Sequence, residues 1–446
     1  MKKHILTSLI TVATLSSTAS HAEGLYDVYK LALSHDPGLR AAEATYRADK
    51  EQIAVTRGNL YPSIKATGSL GYAKTNPPSG STVDSRSNSV GLDLNYPIYS
   101  PALNYGVKDT ELGYQSAGVS YDNTKENLVL TTMTEFFNLL IAQATLETTE
   151  AQVKSTKSQL DQTQKQYDVG LKSITDLQDA KASYDAVKVQ ELTARSDVAY
   201  AQKALLQRTG KVITDIPELS KDYPIKMDPN VTVDELIQKA IKNNKELHIL
   251  DIAVEKAQNN IDLKKASGRT PVVSLVGSIS RSDANNDPES VQSPNGATNT
   301  SSVGLQVSIP LYSGGAINAS VRQASEQANA AIENRASQLQ SIELNIRNTF
   351  LKLQTSVAQV KAQKELIKSR RSALQASRAG YEVGTRNLVE LLQAQSNLYT
   401  AISDYQKYRY NFVIQKLTLD EAVGDLNENK IVSLDKWLVE DPSTLK

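Results

Sequence analysis

Residues 89–99 read Ser-Val-Gly-Leu-Asp-Leu-Asn-Tyr-Pro-Ile-Tyr, and residues 302–312 read Ser-Val-Gly-Leu-Gln-Val-Ser-Ile-Pro-Leu-Tyr. In both, apolar side chains take every second place, the period of a strand with one greasy face and one wet face. Two more stretches do the same. Ile64, Ala66, Gly68, Leu70 and Tyr72 alternate with Ser63, Lys65, Thr67 and Ser69. Val273, Leu275, Gly277 and Ile279 oppose Ser274, Ser278 and Ser280, with Val276 breaking the polar side. The alternation predicts strands over residues 61–74, 88–99, 271–282 and 302–312. Each runs to about ten residues, the length a tilted membrane-crossing strand needs. The loops between paired strands are polar and rich in breakers: Thr75-Asn76-Pro77-Pro78-Ser79-Gly80, and 282–301. A soluble sandwich also alternates, so the flanking segments decide between the two.

The likeness of 89–99 to 302–312 is one of four in the same order along the chain. Gly91-Leu92 and Pro97-Ile98-Tyr99 return as Gly304-Leu305 and Pro310-Leu311-Tyr312, 213 positions on. Tyr167-Asp168-Val169-Gly170 returns as Tyr381-Glu382-Val383-Gly384, 214 positions on. Pro62 and Gly68 match Pro271 and Gly277, and Ala32 and Leu39 match Ala240 and Leu247. A period above 200 residues is a duplicated domain rather than a short-repeat solenoid. The expected units are therefore 23–230 and 231–446.

Glycine and proline are absent from 119–169, 171–209, 316–379 and 385–423. These blocks carry apolar residues at helical spacing, as in Val129, Met133, Phe136, Leu140 and Ala144. Helices are predicted over residues 101–168, 171–209, 316–380 and 385–423. A helix of about 64 residues spans about 95 Å, the dimension of a coiled coil or a tube and not of a compact domain. A soluble sandwich is not fed by helices of that length. The stretches 210–230 and 424–446 are less regular and are expected to wrap the helices midway.

Composition removes most chemistry. Lys plus Arg and Asp plus Glu are both 49, so no basic excess exists to neutralise a nucleic acid. There is no cysteine, which excludes disulfides, thiolate metal sites and cysteine nucleophiles. The histidines are His4, His21, His35 and His248. His248 sits among Leu247, Ile249 and Leu250 and is expected to be a packed core residue. An enzyme built on paired carboxylates would have to use Asp and Glu that lie mostly on solvated helix faces. No catalytic residue, metal or cofactor is expected. Lys2 and Lys3, the apolar run from Ile5 to Leu15 and Ser20-His21-Ala22 have the order of a secretory signal, too short for a membrane anchor, with cleavage expected after Ala22.

Four strands cannot cross a bilayer alone, because an open sheet edge leaves backbone groups unsatisfied in hydrocarbon. Two chains would give an eight-stranded barrel filled by its own side chains, whereas three give twelve strands with room for water. A homotrimer is the expectation, with apolar residues on lipid and polar ones on the lumen. Tyr61, Tyr72, Tyr96, Tyr99 and Tyr312 stand near the strand ends, where aromatic girdles belong.

The sequence resembles the TolC-type outer-membrane channel family. The carriers are Leu25-Tyr26-Asp27-Val28-Tyr29 with Asp36-Pro37, the strand ends Tyr96-Pro97-Ile98-Tyr99 and Ile309-Pro310-Leu311-Tyr312-Ser313-Gly314-Gly315, and two helix-turn-helix elements at 167–176 and 381–390. The resemblance implies a mixed α/β membrane protein: a trimeric 12-stranded barrel in the outer membrane, continued by a long helical coiled-coil tunnel across the periplasm. It implies docking to a periplasmic adaptor and an inner-membrane pump, and export of small molecules or proteins. It also implies a periplasmic gate in which Tyr381 and Arg386 tie to Thr175 and Asp176, with Gly170 and Gly384 as the turn hinges. The family carries two acidic positions three apart, forming a constriction. Here the first is Glu390 but the second is Gln393, which removes one ring of charge, and Asp179 of the first unit is a possible substitute. The alternative reading is a periplasmic coiled-coil or adaptor protein without a pore.

Overall fold

The computed structural model describes residues 23–76, 78, 82–287 and 295–439. The expected signal segment 1–22, parts of the two strand loops and the tail beyond 439 lie outside the described residues.

The elements run α1 (Leu25–His35), α2 (Pro37–Gly58), β1 (Ser63–Thr75), β2 (Val83–Tyr99), α3 (Pro101–Asp168) and α4 (Ile174–Thr209). After a two-residue strand, β3 (Glu218–Leu219), the order recurs: α5 (Val233–Asn243), α6 (Lys245–Arg269), β4 (Val272–Asp287), β5 (Gly296–Ser308), α7 (Ala316–Glu382) and α8 (Leu388–Ala422). Helix α9 (Glu428–Asp435) and strand β6 (Leu438–Val439) follow.

The strands form one antiparallel sheet in the order β1-β2-β4-β5. Its register decides what the sheet can do. Ile64 lies opposite Leu94, Leu94 opposite Gly277, and Gly277 opposite Val303. Directly paired residues share a face, so the four apolar strings of the sequence fall on one side. Lys65, Asp93, Ser278 and Ser302 make the matching row on the other. There Ser69 and Ser89 hydroxyls meet at 2.8 Å, as do those of Ser278 and Ser302. The apolar side is bare: Leu70 is 89 % exposed and Val303 77 %. β1 and β5 each keep one unpaired edge within the chain.

The strands are longer than expected. β2 extends back to Val83, β4 runs on to Asp287 and β5 starts at Gly296. The segment expected as a loop over 282–301 is therefore partly ladder. Alternating apolarity marks only the greasy band, whereas backbone pairing continues through polar residues such as Ser85 opposite Asn286. At the other end β5 stops at Ser308, four residues early, where Pro310 offers no N–H to a ladder.

Helices α3 and α7, with 68 and 67 residues, each span about 100 Å. The shorter helices lie along them. α2 packs on the early part of α3, and α4 folds back along the later part after a tight turn. α6 and α8 do the same for α7, and α6 also touches α3. The core sits midway, where Phe136, Phe137, Tyr410 and Phe412 are essentially excluded from solvent. Segment 211–223 and α9 close over it, and β3 pairs with β6. Arg409 is buried here, its guanidinium donating to the carbonyls of Leu219 (3.2 Å) and Ser220 (2.7 Å). The α3 stretch is apolar enough over 18 residues to pass for a membrane span, yet Leu128 to Leu140 supply six residues of this core.

His248 corrects an expectation. It is exposed, with its ring Nε2 2.8 Å from the Lys242 carbonyl. Leu247 takes the buried place, and one residue further along a helix is a rotation of about 100°.

Candidate functional site

At the end of α3 the Gly170 N–H donates to the Tyr167 carbonyl and the Leu171 N–H to the Gln166 carbonyl. At the end of α7, Gly384 and Thr385 donate in the same way to Tyr381 and Gly380. Both are Schellman closures, which need a left-handed residue just beyond the helix. Gly170 has φ +74° and Gly384 φ +80°, values that an L side chain adopts only at a cost.

The next helices start later than expected, at Ile174 and Leu388, because each turn spends residues on a cap. Ser173 accepts from the Asp176 amide at 3.1 Å, and the Asp176 carboxylate accepts from the Ser173 amide at 3.3 Å. Asn387 accepts from the Glu390 amide at 2.8 Å. Ser-x-x-Asp is a capping-box signature that the sequence displays openly. The Asp176 carboxylate, expected in the gate, thus also holds a helix start, whereas Glu390 takes part in its cap through its amide alone.

The two turns come together through packing. Ala180 of α4, Tyr381 of α7, and Leu388, Leu391 and Leu392 of α8 form a small buried cluster, with Leu160 and Leu374 against it. Lys172 of the first turn places its ammonium 4.1 Å from the Tyr381 ring centre, a cation–π contact joining the two hairpins. Sequence reading missed Lys172 as a contact, since nothing local places a lysine over a ring more than 200 positions away.

The residues expected at the gate sit as follows within one chain. Thr175 is exposed. Arg386 donates to Ser377 Oγ and Glu390 Oε2, both at 3.3 Å, on its own hairpin. Among the described residues no hydrogen bond or ion pair joins Arg386 or Tyr381 to Thr175 or Asp176. The Tyr381 hydroxyl is buried without a partner. Of the residues expected at the constriction, Gln393 donates to Asn397 at 3.1 Å on its own helix, and Asp179 is half-exposed on α4.

A sheet with one bare apolar face and two unpaired edges, carried on helices of about 100 Å that end in two paired turns, defines a membrane-embedded subunit with a long helical extension. The chain belongs to the outer membrane efflux protein family, which it matches over residues 28–211 and 236–425. It is 32 % identical over 438 residues to outer membrane protein TolC of Escherichia coli (strain K12), covering 96 % of this chain and 87 % of that protein. It is 26 % identical to the proteases secretion protein PrtF of Dickeya chrysanthemi, over 97 % of this chain and 95 % of that one. The fold is that of the Campylobacter jejuni CmeC outer membrane channel, with a TM-score of 0.75 at 18 % identity, covering 95 % of this chain and 91 % of that chain.

Proposed function

We propose that this protein is the outer-membrane exit channel of an efflux pump or a type I secretion system. One observation carries the reading. Four strands put the large apolar side chains of their central band, Val276 excepted, on one exposed face, while both sheet edges stay open. Water penalises the first feature and hydrocarbon forbids the second, unless further copies complete the sheet. Three copies close a 12-stranded barrel, and the duplicated helix pairs of three chains continue it as a tunnel into the periplasm. The homotrimer conducts passively and carries out no catalysis. A family named for efflux and a relative named for protease secretion support both kinds of cargo, small molecules and proteins.

Opening takes place at the paired turns. In the closed trimer Arg386 and Tyr381 meet Thr175 and Asp176, with Gly170 and Gly384 as hinges. A periplasmic adaptor and its pump release these ties on docking. The unpartnered Tyr381 hydroxyl supports this reading, because a buried O–H without an acceptor costs about 1–3 kcal/mol until one arrives. Glu390, Gln393 and Asp179 line the narrowest part.

The test is electrophoresis of the outer-membrane fraction, unheated and boiled, with planar-bilayer conductance on the same sample. An unheated species of three chains giving small, stable currents is expected. A soluble periplasmic monomer would replace this reading with a coiled-coil or adaptor protein lacking a pore. Arg386→Glu and Tyr381→Phe should each raise the conductance, and unchanged currents in both would remove the gate assignment.

A further inference from the structure

Along about the last seven turns of α7 the seam is regular. Ser356, Val360, Gln363, Ile367, Arg370, Leu374, Ser377 and Tyr381 are buried or half-buried at alternating steps of four and three. One flank of that seam holds Ala362, Leu366, Ser369, Ala373 and Ala376, all but Leu366 small, so that another helix can approach closely. The other flank holds Lys361, Lys364, Lys368, Arg371 and Arg378, all exposed. These five bases lie in one line over 18 residues, about 25 Å of helix. Among the described residues only Lys368 has an ionic partner, Glu365 at 2.8 Å, and that pair is itself exposed. The hydrogen bond from Lys368, and then the charges of Lys364 and Lys361, hold the Glu365 carboxyl below its usual range. A row of free like charges on one helix face is unfavourable by itself.

We propose that this basic stripe is a docking strip for an α-helix of a partner protein carrying acidic side chains at matching three- and four-residue spacing. A second copy of this chain does not supply that helix. The acids of α4 near the tip alternate with Lys181, Lys188 and Arg195, and those of α3 with Lys154, Lys157 and Lys165. The small-residue flank is the face suited to a second copy, which leaves the basic flank for the acidic partner. The inference rests on the docking part of the proposed function and not on the pore itself.

The probe is a synthetic helical peptide of about four heptads with Glu on one face, and the control has the same composition with Glu scattered. Binding to the full-length protein, purified in its oligomeric form, is measured at low and high salt. The wild type should bind the striped peptide in preference to the control, more tightly at low salt. Lys364→Glu with Arg371→Glu should weaken it at least about tenfold by placing like charges together. Lys364→Gln with Arg371→Gln, which adds no repulsion, should give a smaller loss. Unheated trimer and bilayer current should be unchanged in both variants. Equal binding of the two peptides would overturn the proposal. So would loss of the trimer, which would put the stripe between copies, or an altered ion preference, which would put it in the lumen. Failure of the channel reading would look different: no current from the wild type.

Discussion

The middle of the helical stalk and its tip are built from the same four long helices, yet they are held together differently. The middle is dry. Phe136 and Phe137 meet edge to face at 5.6 Å, Tyr223 stacks edge-on against Trp437 at 5.8 Å, and charged groups are boxed in with their partners. Lys430 bridges Asp420 (2.5 Å) and Asp425 (2.6 Å), and Asp425 also takes Lys239. The tip has a cluster of five buried side chains, one cation–π contact and an ion pair with about half of each side chain in water. Burial scales with area removed from water, so the tip can separate while the middle keeps the helices registered. A stalk clamped at its waist and lightly held at its end suits a device that opens at that end.

Three substitutions test how far this contrast goes, in order of expected size. Phe136→Ala at the waist should cost about 3–5 kcal/mol, the usual range for emptying a filled aromatic site. It would be seen as a lower melting temperature of the far-ultraviolet helical signal. A shift no larger than that of a tip variant would abolish the distinction.

Lys430→Met comes next, at about 2 kcal/mol, because it strands charge-assisted hydrogen bonds in a part-buried site. Its pH dependence has a definite sign. Burial pushes the Asp420 carboxyl up, and Lys430 offsets only part of that. Without Lys430 the folded state binds the Asp420 proton more strongly still, so lowering pH from neutral should restore part of the lost stability. The wild type runs the other way at Asp425, whose carboxyl Lys239 and Lys430 hold below its usual range against burial. That contribution is present above the ordinary Asp range, about 3.9, and is lost as pH falls through the lowered value. Lys430 itself is held above its ordinary value by the two acids, against the effect of burial, so its share disappears only as pH rises through that raised value. The gap between variant and wild type should be widest from about pH 7 to 9 and close on either side. A gap independent of pH would mean that the bridge contributes through packing alone.

Much of this contrast was legible in the sequence. The long helices were, because nothing in 119–169 or 316–379 can stop one, and α3 indeed carries on through Gly106, Gly113 and Gly118. The turns were, because Gly170 and Gly384 follow a helical run and permit positive φ. Strand ends were not: pairing is set by the neighbouring strand, and Ser282 to Asp287 join β4 although nothing in their own alternation calls for it. The role of Lys172 was not, since its ring partner is brought near only by tertiary packing. His248 misled because apolar neighbours in sequence point elsewhere on a helix.

The smallest effect on stability should come from the tip, where Leu391→Ala empties a site 2 % exposed. Such a cavity in a large core would cost 2–5 kcal/mol. Here the cluster has only five buried members, Leu391 included, and water can enter beside Thr175 and Val383, which are exposed. Local opening then precedes global unfolding, so a lesion that weakens the tip is felt by the tip equilibrium and hardly by the melting of the waist. The expected outcome is a melting temperature close to that of the wild type together with a larger or less stable single-channel current. If Leu391→Ala instead lowers the melting temperature as much as Phe136→Ala and leaves the current alone, tip and waist form one cooperative unit. The proposed opening at the tip would then cost far more than the sparse contacts there imply.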